Sequence, residues 1–128
     1  MLFKFPKDDK NFSWTNHVKN KMLRYRISEQ KIKTILKNPS RKEEGIAPKT
    51  LAVMKRNDTP KRKEEMWVMF QKLGAKHRII SAWRYPGISP KGKEIPIPDD
   101  ILAELEKWKK QQFYPQNIFK IKIPLKLP

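Results

Sequence analysis

Glu65-Met66-Trp67-Val68-Met69-Phe70-Gln71-Lys72 holds five consecutive apolar residues, Met66 to Phe70. In an extended chain, neighbouring side chains point to opposite faces. Met66, Val68 and Phe70 therefore share one side, and Trp67 and Met69 the other. A strand apolar on both sides reads as a central one, covered on both faces. Working outward, residues 50–56 and 77–85 read as strands on either side of it in sequence. Asp58-Thr59-Pro60 marks the first connecting turn. Leu73-Gly74-Ala75-Lys76 is short enough to join antiparallel neighbours. In the last of the three strands Ile79 and Ile80 are likewise opposed, and Pro86-Gly87 ends it.

Ahead of the strands the apolar period is that of a helix. Trp14, Val18, Met22 and Tyr25 recur at spacings of three and four, which predicts a helix over residues 13–25 with Ser13 as its cap. A second helix is predicted over residues 29–37. Ser28 is its cap, Ile27 packs on Ile32 as a staple, and Ile32, Ile35 and Leu36 are its buried face. Asn38-Pro39 stops it, because the residue before a proline resists helical geometry. Residues 40–49 read as a polar loop. Beyond the strands, four prolines make residues 86–98 an irregular crossing. Asp99-Asp100 then starts a third helix, with Ile101, Leu102, Leu105 and Trp108 as its apolar stripe, running to about residue 112. Phe119, Ile121, Ile123 and Leu125 alternate with lysines, a strand signal over residues 118–127 that Pro124 confines to an edge. The expected fold is α+β: two N-terminal helices packed on a small antiparallel sheet of three or four strands, with a further C-terminal helix. A single basic domain is expected over residues 1–128, with its core at about 12–112 and a C-terminal extension at 113–128.

The charge balance narrows the function. Thirty Lys and Arg stand against 13 Asp and Glu, a net charge of +17. Such an excess repels itself in the compact state, and a polyanion offsets it in use. The expected partner is nucleic acid, with an anionic membrane surface or a charge that only keeps the protein soluble as the alternatives. With no cysteine, disulfides, zinc fingers and thiol chemistry are excluded. Asp8-Asp9, Glu43-Glu44, Glu64-Glu65 and Asp99-Asp100 read as decoration of turns or helix starts, so no metal or cofactor is expected. No apolar run is long enough to span a membrane. The opening Met1-Leu2-Phe3-Lys4-Phe5-Pro6 lacks the apolar core of a secretory signal, so a cytoplasmic location is expected.

Three groups of residues carry candidate chemistry. His17, Lys21 and Arg24 share one helical stripe. It is either an ordinary solvated face or a grip for a phosphate beside a group that exchanges protons near neutrality. The last strand has His77 and Arg78 at its start and Arg84 and Tyr85 at its end. Arginines at strand ends can clamp a phosphate, and Tyr85 can stack a base if exposed, while Trp83 reads as core. Lys55 and Arg56 before the turn, with Lys61-Arg62-Lys63 in it, make a basic hairpin tip. That tip is either a solvated loop or a reach into a nucleic-acid groove.

His17 opens the stretch His17-Val18-Lys19-Asn20-Lys21-Met22-Leu23-Arg24-Tyr25-Arg26-Ile27-Ser28, followed by Ile32, Ile35, Leu36, Asn38 and Pro39. This resembles a family of small domains related to the RelE- and BrnT-type toxins. Its members show a histidine, an Arg/Lys-Met pair, a basic-X-Ile-Ser step and a short helix ending near a proline. Lys21-Met22 and Arg26-Ile27-Ser28 stand at those positions. Ile79-Ile80-Ser81-Ala82-Trp83-Arg84 is similar to the family's late strand. The resemblance covers roughly residues 12–85 and implies a metal-independent endoribonuclease of the barnase/EndoU/RelE-like fold, paired with an acidic, antitoxin-like protein partner. It is this resemblance that makes RNA the favoured nucleic acid. In that chemistry the RNA's own 2′-hydroxyl attacks the adjacent phosphate. The implied roles are His17 as acid or base, Lys21 and Arg24 as phosphate ligands and Arg84 as clamp, with His77 and Tyr85 in reserve. The competing expectations are a non-enzymatic RNA- or DNA-binding or structural protein, and a protein–protein module for an acidic partner.

Overall fold

The computed structural model describes residues 3–46, 49–92 and 94–113, with residues 108–113 described as helix backbone only. The predicted strand over residues 118–127 lies outside the described residues. The elements are β1 (Phe12–Trp14), α1 (Asn16–Tyr25), α2 (Glu29–Lys37), β2 (Arg41–Glu44), β3 (Thr50–Arg56), β4 (Glu64–Leu73), β5 (Lys76–Pro86) and α3 (Asp99–Phe113). Residues 1–98 form one compact unit, and α3 belongs to a second that begins at Asp99. The fold is α+β, as the sequence pattern predicts.

Among the described residues the sheet has five strands in the order β1-β5-β4-β3-β2. β2, β3, β4 and β5 pair antiparallel, whereas β1 runs parallel to β5. Both outer strands depart from expectation. Ser13 is not a helix cap but lies inside β1, opposite Arg78. The cap is Thr15, whose hydroxyl accepts the Val18 N–H at 3.0 Å. Asp9 closes the turn that leads into β1 by accepting the N–H groups of Asn11 and Phe12, and Asp8 accepts that of Trp14. β2 replaces part of the predicted loop. Its residues are all charged, so it carries no apolar period, and as an edge strand it pairs through backbone alone. Gly45 lets β2 close onto β3, since a side chain there would collide with Thr50.

Each apolar side of β4 is covered. Val18, Met22, Ile32 and Ile35 from α1 and α2 pack with Val53, Met66, Val68, Phe70 and Ala82 in one buried cluster. α1 stops at Arg26, whose φ of 57° is left-handed. The Ile27 N–H then reaches back to the Met22 carbonyl at 2.9 Å, which satisfies a helix-end acceptor. On the other side Trp67 and Trp83 stack at 6.2 Å, and both are fully buried. The proline-rich crossing reaches this side, with the Trp83 indole N–H donating to the Pro96 carbonyl at 2.7 Å. Among the described residues, no helix is long and apolar enough to cross a membrane.

Candidate nucleic-acid interface

The start of α1 is set by an irregularity in β5. Met69 pairs with Ser81 and Phe70 with Ile79, which leaves Ile80 as an extra residue, a bulge. Bulges bend a strand and redirect its side chains. Here the Thr15 N–H donates to the Ile79 carbonyl and the Thr15 hydroxyl to the Ile80 carbonyl at 2.9 Å. His17, in the first turn of α1, meets Ser81 with Nε2 and Oγ 2.8 Å apart. Two turns later, the carbonyl of Tyr25 meets Arg84. α1 is therefore laid along β5 from Ser81 to Arg84. His17 is half-buried on this line, Lys21 is 6% exposed and Arg24 is exposed.

Arg84 sits where the sequence places it, but its guanidinium is engaged within the fold. Nε donates to the Tyr25 carbonyl at 2.6 Å and Nη2 to the Arg26 carbonyl at 2.9 Å. Nη1 donates to Glu64 Oε2 at 2.7 Å. Two carbonyls at the end of a helix need donors, and the strand arginine supplies them. Glu64, buried, also accepts from Asn57 and pairs with Arg62 at 3.3 Å. Burial alone would raise its pKa, but the Asn57 and Arg84 hydrogen bonds and the charges of Arg84 and Arg62 lower it overall. These bonds draw the end of α1, the β3–β4 turn and the end of β5 to one end of the sheet.

At that end the turn is braced and its cations point outward. Thr59 and Arg62 bridge backbone to backbone, and Asp58 accepts the Glu64 N–H at 2.8 Å. Lys61, Arg62 and Lys63 are exposed, the Arg62 side chain to 72%. Arg24 and Arg26 are exposed at the neighbouring end of α1. The other two basic residues predicted for the tip act within the fold. Lys55 Nζ donates to the Asn38 carbonyl at 2.9 Å. Arg56 pairs with Asp58 at 2.6 Å and with Glu65 at 3.2 Å, and also donates to the Gly87 carbonyl. Tyr85 is half-buried near the end of β5, opposite Glu65, while Trp83 is core.

His77 and Arg78 stand at the opposite end of β5 from Arg84, so the structure does not gather them with the tip. The His77 ring lies between Phe12 at 5.6 Å and Phe70 at 5.3 Å. Burial, and secondarily the charge of Lys72, lower its pKa from 6.5. The folded state then holds its proton less readily than the unfolded chain. The stability carried by neutral His77 is present above about pH 6.5 and is lost as pH falls through the lowered value. His77→Phe keeps the ring stack and removes this loss. Its urea midpoint should change less between pH ~7.5 and ~5.5 than that of the parent protein.

Two features escape the local pattern. Ser81, the partner of His17, lies 64 residues away from it in sequence. Glu65 and Arg41 form a buried network with Ser89. Glu65 accepts from the Trp67 indole, the Ser89 N–H and the Ser89 hydroxyl, each within 2.9 Å. Arg41 donates to Ser89 Oγ and the Pro90 carbonyl and lies over the Trp67 ring at 5.2 Å. The Glu64-Glu65 pair is thus buried strand rather than turn decoration, because each carboxylate is matched to arginine. Among the described residues, no group of three or more His, Asp or Glu is placed to hold a metal ion. No family model, curated protein or solved structure matches the chain.

Proposed function

We propose that this chain binds nucleic acid, RNA in preference, at the end of the sheet where α1 and the β3–β4 turn meet. One observation carries the reading. Arg84 ties the carbonyls of Tyr25 and Arg26 to Glu64, so the exposed Arg24, Arg26, Lys61, Arg62 and Lys63 share one end of the fold. Each phosphate neutralised releases counterions, so five contacts correspond to a log–log salt slope of about −3.5 to −4.5. Alanine at Lys61, Arg62 and Lys63 together should reduce that slope by about 2 to 3. Fluorescence anisotropy with RNA across a salt series reads both. An unchanged slope in the triple variant overturns this placement of the interface.

A second reading, metal-independent cleavage of the bound RNA, is favoured by the His17–Ser81 contact, with Lys21 one turn further along the same stripe. His17 takes the proton of the attacking 2′-hydroxyl and returns it to the departing 5′-oxygen as the P–O5′ bond breaks and a 2′,3′-cyclic phosphate is left, with Arg24 and, from its buried position, Lys21 toward the phosphate. Arg84 drops out as clamp, because its donors already serve α1 and Glu64. Cleavage in the presence of a chelator, lost in His17→Ala, supports this reading, and equal cleavage by the variant ends it. An acidic protein partner, in the manner of an antitoxin, would compete with RNA for the same end, in the cytoplasm.

A further inference from the structure

Ile88 is 70% exposed, the most exposed of the large hydrophobic side chains among the described residues. An exposed isoleucine on a slack loop means little, but this loop is bound on both sides of Ile88. Before it, Gly87 takes φ +91°, a left-handed conformation that glycine accepts without steric cost. The Gly87 N–H donates to the Lys63 carbonyl at 2.9 Å, and its carbonyl accepts from Arg56 at 3.2 Å. After it, Ser89 donates its N–H and its hydroxyl to the buried Glu65, each at 2.8 Å. Arg41 closes the other side, donating to Ser89 Oγ at 2.8 Å. The backbone around Ile88 is thus anchored to the basic turn through Lys63, the last of its three cations.

We propose that Ile88 is the base-contacting wedge of the interface, inserted against a base step of the nucleic acid whose phosphates the neighbouring cations hold. The inference rests on the nucleic-acid reading above and adds to it a contact with the bases. A backbone already anchored on both sides loses little conformational freedom on binding, so burial of the side chain it carries adds to affinity. Single apolar wedges that partly unstack a base step are an established mode of backbone-dominated binders. A lone exposed apolar side chain next to a backbone tied to Lys63 and Arg56 fits that mode better than it fits a lipid surface. Membrane binding draws on a wider apolar face.

The experiment uses the full chain and a duplex RNA carrying one 2-aminopurine, whose fluorescence rises when its base unstacks. The parent protein should bind and raise the signal. Ile88→Ala should bind about tenfold more weakly, as the loss of a buried isoleucine implies, and leave the signal flat. Its salt slope and urea midpoint should be unchanged, and Ile88→Leu should restore both affinity and signal. If the parent binds but Ile88→Ala matches it in affinity and signal, the wedge is overturned while the basic interface stands. If the parent does not bind RNA at all, the nucleic-acid reading fails first and takes the wedge with it. Binding to phosphatidylserine vesicles that depends on Ile88, with no unstacking of RNA, overturns the proposal in favour of a lipid contact.

Discussion

Glu65→Ala is expected to lower the free energy of unfolding by about 3–5 kcal/mol, the usual cost of removing one partner from a buried ionic network. The carboxylate is fully buried and accepts from the Trp67 indole, the N–H and hydroxyl of Ser89, and Arg56. Its loss strands a buried indole N–H and a buried amide, each of which costs free energy when unpaired. It also releases the crossing that reaches over Trp67 and Trp83. Equilibrium urea denaturation followed by tryptophan fluorescence measures the effect. A loss below about 1 kcal/mol would show that the network adds little. The same carboxylate gives the protein an acid limb. Burial pushes its pKa up, but the Ser89 and Trp67 hydrogen bonds and the charge of Arg56 bring it below the ordinary 4.5. A lowered folded pKa means stability present above the unfolded value and lost as pH falls through the folded one. The parent protein should therefore weaken below about pH 4.5, and Glu65→Ala should weaken less steeply there.

Arg84→Met should cost about 3 kcal/mol of stability while leaving RNA affinity per folded molecule within about twofold. The aliphatic stem is retained, so the loss isolates the guanidinium. Two carbonyls at the end of α1 lose their donors, and Glu64 keeps only Asn57 and Arg62. A phosphate clamp behaves in the opposite way, with stability preserved and affinity reduced by tenfold or more, since about 1.4 kcal/mol corresponds to tenfold. Denaturation and RNA anisotropy on the same preparation separate the two roles. Loss of affinity at intact stability would return Arg84 to the interface and remove the reason for placing phosphate contacts on Arg24, Arg26 and the turn.

How much of this is legible in the chain depends on the range over which each feature is decided. α2 and β3 begin and end where their patterns predict, because caps, prolines and apolar periods act within a few residues. α1 starts three residues later than its pattern indicates. Ser13 and Thr15 are both able to cap, and Ile79 and Ile80, which Thr15 bonds, lie far along the chain. β2 leaves no local mark at all, since Arg41-Lys42-Glu43-Glu44 has no apolar face and pairs by backbone alone. In the candidate site, the stripe of His17, Lys21 and Arg24 follows from helical spacing. The partner of His17 does not, and the two carbonyl acceptors of Arg84 lie 58 and 59 residues away.

From the residues alone come the α+β class, the doubly apolar central strand and a net charge of +17. Which of the thirty cations face outward is a matter of tertiary structure. The sequence pattern reads Arg84 as a phosphate clamp, Arg56 as part of the basic tip and Arg41 as loop, yet they hold Ser89, Asp58, Glu64, Glu65 and the end of α1. The physical reason is reach. A helix or strand is chosen by neighbours within a turn, whereas the partner of a guanidinium is whichever carboxylate or carbonyl chain crossing brings beside it.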